Sequence, residues 1–310
     1  MKKTILFLSA IVVFNSCSSR KKTDDSTFMK GFFSYYNTLF NSKDALQTEL
    51  KNRDNAHVDN FYAPYIQLLT YEEQPLGSDL QSAGMFGDDP MPPGSMNPGG
   101  PGVPGGRGDS RNLSNPGIKS GASILEISEA KALKAISKYS VMKGGEEKNK
   151  KIFDANLLLA QARIYRNKPL EALDGLNYVF ANMRNDKRIP LAKIYQGLAY
   201  SKMGDYYRAE EVFTDVKKDD KLKKDYKKLL SIYYSEMLLQ SGKKEAAADE
   251  LEEAYALNNN RKMRSRIAFL RGQILANLDR NEEARESFVT AYKNANDFEF
   301  EVKSQIEIAK

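Results

Sequence analysis

The feature that most constrains this chain is an internal period. Small residues stand twelve apart in four pairs, Ala160/Ala172, Gly197/Ala209, Ser235/Ala247 and Gly272/Ala284, and successive pairs are offset by 37, 38 and 37 residues. Four residues beyond the second member of each pair comes a large apolar side chain: Leu176, Phe213, Leu251 and Phe288. A fixed period of this length means stacked copies of one supersecondary unit, none of which can bury its apolar face alone. The small pairs mark where two short helices cross closely, and a large side chain there would overpack at a cost of about 1–3 kcal/mol.

Composition agrees with helices. The 310 residues are 41% hydrophobic and 28% charged with both signs interspersed, rich in Tyr and Phe and free of Trp. Mixed charge with abundant Ala and Leu fits amphipathic helices better than sheets, so the predicted class is all-α. In residues 191–216, Gly197, Tyr200, Gly204, Tyr206, Ala209 and Phe213 stand in order at the spacings of a tetratricopeptide repeat. Gly204 lets the chain turn between the helices, and the aromatic residues fill the space around the crossing.

The frame extends both ways. Ala135 lies 37 residues before Ala172, and Tyr139 takes the large apolar slot, so ISEAKALKAISKYSVM is expected to be the second helix of an earlier repeat. Ala309 lies 37 residues after Gly272, which makes VKSQIEIAK the first helix of a further repeat. The array is therefore predicted over 122–310, as part of a longer solenoid truncated within that repeat.

Residues 1–16 read as a secretion leader. Lys2 and Lys3 precede an apolar run from Ile5 to Phe14, too short for a bilayer core that needs about 20 residues. Cys17 is the only cysteine, so neither an intramolecular disulfide nor a thiolate metal cluster is available. Its place after Phe14-Asn15-Ser16 resembles a lipoprotein cleavage site, at which the cysteine becomes the acylated first residue. Several acyl chains on it would give stable attachment to a membrane.

Residues 17–27 are polar and predicted to be a flexible tether. Residues 28–73 hold aromatics at helical spacing from Phe28 to Phe40, then Asn41-Ser42, read as a break that makes a helical hairpin. The apolar stretch 58–72 contains Pro64, which breaks or kinks a helix, and its structure is left undecided. Residues 74–121 shift to Gly, Pro, Ser, Asn and Met and are expected to be a disordered insertion. Arg107-Gly108-Asp109 within it matches an adhesion tripeptide by chance.

No catalytic constellation is visible. The single histidine, His57, lies outside the repeats, and the acidic pairs Asp24-Asp25, Asp88-Asp89 and Asp219-Asp220 sit in polar connecting stretches. No phosphate-binding loop, nucleophile elbow or zinc motif occurs, so neither catalytic residues nor a metal nor a cofactor is expected. Formal charge is +6, and without Lys2 and Lys3 it falls to +4, too mild to imply nucleic acid. The seven lysines of KKDDKLKKDYKK, residues 217–228, are interleaved with Asp and read as a solvated face. Protein partners are expected instead of a small-molecule substrate.

In stacked helical hairpins the first helices line a concave face that binds peptides or partner helices. In the repeat frame Leu157, Ile194, Ile232 and Phe269 serve inter-repeat packing. Gln161, Leu198, Glu236 and Gln273, four residues further on, vary in polarity and are the candidate partner-binding set.

The order of these features, a lipoprotein leader, then FFSYYNTLFNSKDAL, then KAISKYSVMKGGEEKNKKIFDANLLLAQARIYRNKPLEALDGLNYVF, resembles the SprE/PorW family of Bacteroidota. That resemblance implies a tetratricopeptide lipoprotein at the periplasmic side of the outer membrane, linking the type IX secretion translocon to its inner-membrane motor. It implies a role in protein secretion and gliding motility. Family members often begin Tyr-Asn-x-x-Phe-Asn-Gly, where this chain has Ser42 in place of the glycine, and the 74–121 insertion has no counterpart. Two other envelope roles fit a helical-repeat lipoprotein: a component of the β-barrel assembly machine, and a glycan-binding protein. The absence of Trp weighs against the second.

Overall fold

The structure, a computed structural model, describes residues 27–71 and 123–310. The leader, Cys17, the tether to residue 26 and the 74–121 insertion lie outside the described residues. The described chain is mostly helical: α1 (Thr27–Ser34), a π-helical turn (Tyr35–Leu39), α2 (Phe40–Ala56), α3 (Ile124–Tyr139), α4 (Lys151–Ile164), α5 (Pro169–Asn182), α6 (Ile189–Lys202), α7 (Tyr206–Lys217), α8 (Lys224–Gln240), α9 (Lys244–Leu257), α10 (Arg261–Asn277), α11 (Asn281–Asn294) and α12 (Phe298–Ala309). Two short antiparallel strands, β1 (Met142–Lys143) and β2 (Glu146–Glu147), pair Met142 with Glu147 and Lys143 with Glu146 between α3 and α4.

Consecutive helices pack on one another along the chain, giving four hairpins, α4/α5, α6/α7, α8/α9 and α10/α11. Each hairpin turns the same way. Asn167, Gly204, Gly242 and Asp279 have φ of 57, 76, 80 and 59°, the left-handed region that Gly enters freely and Asn or Asp tolerate. Just beyond, the amides of Lys168, Asp205, Lys243 and Arg280 donate to the carbonyl five residues back, at 2.8, 3.0, 2.9 and 3.0 Å. That bond closes the end of the first helix and starts the second. The turn residues repeat at the period of the small pairs, so sequence period and backbone geometry coincide.

The crossings explain the small residues. A Cβ added to Gly197 would lie 2.4 Å from Cε1 of Phe213, and one on Gly272 would lie 2.7 Å from Cε1 of Phe288. Where the large residue is Leu176 or Leu251, the partner in the first helix is Ala160 or Ser235 instead. Gly thus meets Phe at two crossings, and in the other two repeats the sequence offers Ala or Ser with Leu, a pairing of similar total volume. Ala160, Ala172, Ala209, Ala247, Ala284, Phe213 and Phe288 are all buried, while Tyr200 and Tyr206 are half-buried against the same core. Gly197 and Gly272 thus lie against the large residues sixteen further on.

Helix starts are set locally. Ser123 and Glu126 form a reciprocal capping box, and the side chains of Asp205, Asn260 and Asp297 each accept from a backbone amide three residues on. Proline opens α5 and α6, where its missing N–H costs nothing.

Residues 27–56 depart from expectation. Asn41-Ser42 does not break the helix: α1, the π turn and α2 run on without a turn, so no hairpin forms within residues 28–51. Ser42 has a tertiary partner instead of a capping role. Its Oγ donates to the Ser128 carbonyl at 2.8 Å, and Ser128 Oγ donates back to the Ser42 carbonyl at 2.9 Å. The hairpin partner of α2 is α3, so α3 is the second helix of an earlier unit whose two helices are separated by residues 57–123.

Candidate functional site

The face formed by the first helices, where partner contact was expected, is covered in part by the chain itself. After α2 the chain leaves helical conformation, and residues 57–71, interrupted by Pro64, run as an irregular strap against α4, α8, α10 and α12. Apolar side chains hold it down. Ile66, Leu68 and Leu69 are buried in the core that also contains Ile194, Leu198, Ile232 and Phe269. Phe61 packs edge-on against Phe269 and Phe300, with ring centroids at 5.5 and 5.1 Å. Burying three aliphatic side chains contributes about 1.5–3 kcal/mol each, against about 0.5–1.5 kcal/mol for a hydrogen bond between neutral groups.

Polar contacts set the register of the strap. The Ile66 amide donates to Gln273 Oε1 at 2.8 Å, and the Tyr65 hydroxyl donates to Asn277 Oδ1 at 3.1 Å. Arg266, only 3% exposed, forks onto both oxygens of Asp59 at 2.5 and 2.6 Å and also donates to the Gln67 carbonyl. Lys262 pairs with Asp54 at 3.0 Å, and Arg53 donates to the Tyr165 carbonyl.

Beneath the far end of the strap lies a belt of tyrosines. Tyr71 meets Tyr165 edge-on at 5.6 Å, the Tyr165 and Tyr233 hydroxyls share a hydrogen bond of 2.9 Å, and Tyr195 stacks edge-on near Tyr233. Burial pushes the Tyr195 phenol up to about 12 despite hydrogen bonds to Tyr233 and Gln161, and burial raises Tyr233 as well. These hydroxyls stay protonated across the physiological range and act as fixed hydrogen-bonding groups.

The four candidate partner residues are accordingly drawn into the protein. Leu198 is 3% exposed, Gln273 is engaged by the strap, Gln161 is hydrogen-bonded to Tyr195 and Glu236 is half-buried. Of the four, the strap contacts Gln273 directly and Leu198 lies in the core that the strap joins, while Gln161 and Glu236 are half-buried. Of the packing set, Ile194, Ile232 and Phe269 are buried and Leu157 half-buried, as their apolar character requires. The strap itself escaped sequence reasoning. Its signal was an apolar run, YAPYIQLLTY, without helical or alternating period and holding a proline.

His57 lies in a polar cleft at the start of the strap with Asp54, Asp59, Thr70, Lys262 and Arg266. Its Nε2 lies 3.1 Å from Asp59 Oδ1. Burial would raise the Asp59 carboxyl, but hydrogen bonds from His57 and Arg266 and the charge of Arg266 outweigh it and hold the group at about 2. A carboxylate so stabilised is a poor general base at neutral pH, and both its oxygens are committed. The cluster is a clasp.

The sign of its pH dependence follows. Because folding lowers the Asp59 pKa from 3.8 to about 2, its contribution is complete above pH 4 and is lost as pH falls from 4 towards 2. That shift corresponds to about 2 kcal/mol. Asp59→Asn is expected to flatten the acid limb of the stability curve in that window, measured by urea unfolding at stepped pH; an unchanged limb would show that Asp59 is not clasped.

Among the described residues no helix is long and apolar enough to cross a membrane, and no group of His, Cys, Asp and Glu could hold a metal ion. No family model matches the chain, and no curated protein matches it.

Proposed function

We propose that this chain is a tetratricopeptide-repeat scaffold, anchored by an acylated Cys17 to the periplasmic side of the outer membrane, that joins the type IX secretion translocon to its inner-membrane motor. The observation that carries the reading is the fourfold recurrence of one hairpin, with its left-handed turn and volume-matched crossing, behind a leader ending at a lone cysteine. Stacked hairpins of this kind present long surfaces and hold partners at fixed separation, which is what a linker between two membrane complexes requires. The resemblance of the leader, of FFSYYNTLFNSKDAL and above all of Ala132–Phe180 to the SprE/PorW family is what suggests the identity of those complexes.

With the first-helix face strapped, partner contact falls on the outer helices and the hairpin ends, or on the first-helix face after the strap moves. In-cell crosslinking of a tagged chain, followed by mass spectrometry, is expected to capture translocon and motor components. Deletion of the gene is expected to abolish export of cargo carrying a C-terminal secretion signal and to stop gliding. Normal export in the deletion strain, or capture of the β-barrel assembly machine instead, would overturn the assignment.

A further inference from the structure

The first helix carries a second surface that packing does not use. On its inner side Phe33 and Leu39 join Ala135, Tyr139, Ile152 and Ala155 in a small core, and Ser34, Thr38 and Ser42 are buried. On its outer side Phe28, Phe32, Tyr36 and Phe40 are 78, 47, 61 and 56% exposed. These residues recur every four along the helix, and in the middle of the row Phe32 and Tyr36 lie 4.6 Å apart between centroids, with Tyr35 5.0 Å from Tyr36. Isolated exposed apolar residues need no explanation, whereas a strip of aromatics along one helix does.

Its surroundings indicate the partner. Residues 27–43 and 130–145 hold six lysines, of which Lys131 is buried, and no Asp or Glu; the exposed acids Asp44 and Glu146 stand at their edges, Glu146 opposite Lys143. Leu133 and Met142, in the second of these segments, are also exposed. Aromatic rings flanked by more lysines than acids suit the headgroup layer of an anionic bilayer, where Phe and Tyr bury their rings and Lys meets phosphate. Position agrees: ten residues separate Cys17 from Phe28, a reach of at most about 35 Å.

We propose that the outer face of the first helix is a membrane-interface contact that lies on anionic phospholipid and fixes the attitude of the helical stack on its bilayer. The inference rests on the envelope reading above, but the contact is separable from the acyl anchor and is tested separately. Because the chain has no Trp, Phe28→Trp makes a single reporter on the strip, and Tyr207→Trp, at a position 81% exposed on α7, makes a control.

Each protein, isolated from its own membranes, is placed on vesicles of phosphatidylethanolamine and phosphatidylglycerol, some brominated near the headgroup. The mass of the N-terminal peptide reads the state of residue 17 independently. Quenching of most of the indole emission of the Phe28→Trp protein by the brominated lipid, with the Tyr207→Trp protein unaffected, supports the contact whether or not residue 17 is acylated. Unchanged emission from the Phe28→Trp protein on vesicles that carry it overturns the contact. So does a concentration-dependent blue shift of the same protein without vesicles, which would place a second copy on the strip.

Discussion

Phe213→Ala is expected to cost about 3–5 kcal/mol of unfolding free energy, the range for truncating a fully buried aromatic residue. The Phe213 ring fills the space that Gly197 leaves open, so truncation empties a crossing that Leu176 and Leu251 fill in other hairpins against a larger partner. Gly197→Ala alone is expected to cost about 1–3 kcal/mol, because its methyl would drive into the ring. The double substitution Gly197→Ala/Phe213→Leu recreates the pairing of Ala160 with Leu176 and is expected to recover most of that loss. Urea unfolding of Gly197→Ala, Phe213→Leu and the double variant measures the coupling. Additive losses, or a Phe213→Ala cost under about 0.5 kcal/mol, would contradict the volume matching.

Arg266→Ala is the second large effect. The guanidinium is buried, and its removal leaves Asp59 without its main countercharge and the Gln67 carbonyl without its donor. Breaking one side of a buried pair costs about 3–5 kcal/mol, much of it the stranded charge. Replacing both members, as Arg266→Met with Asp59→Leu, is expected to be far milder, since no charge is then left unpaired. Hydrogen exchange over residues 57–71 localises the effect. Faster exchange there in Arg266→Ala, with the α6/α7 hairpin unchanged, is the expected pattern, and uniform protection would mean the strap does not depend on this clasp.

The repeats were legible in the sequence because each hairpin needs a small residue at its crossing and a left-handed residue at its turn, and few residue types meet either demand. Gly204 announces the turn openly; Asn167 and Asp279 do the same less plainly, being residues tolerated there and not required. The match of Gly to Phe and of Ala or Ser to Leu was also present in the sequence, but only geometry shows that residues sixteen apart touch. Ser42 misled because a serine that caps a helix and one that binds another helix look alike along the chain. The strap was invisible for a related reason: an apolar segment lying on helices owes its conformation to the groove beneath it and carries no period of its own. Gln273 illustrates the same point, since a groove position reads alike whether a foreign peptide or the chain's own fills it.

The strap has a mechanical consequence. An array whose units touch only their neighbours unravels one unit at a time under tension, because no contact spans more than one junction. Here the bonds from residues 53–71 reach Tyr165, Lys262, Arg266, Gln273 and Phe300, tying the beginning of the rod to its far units. Under a pull along the axis those ties are expected to share the load with the junctions between neighbouring hairpins, so that units yield together and not singly.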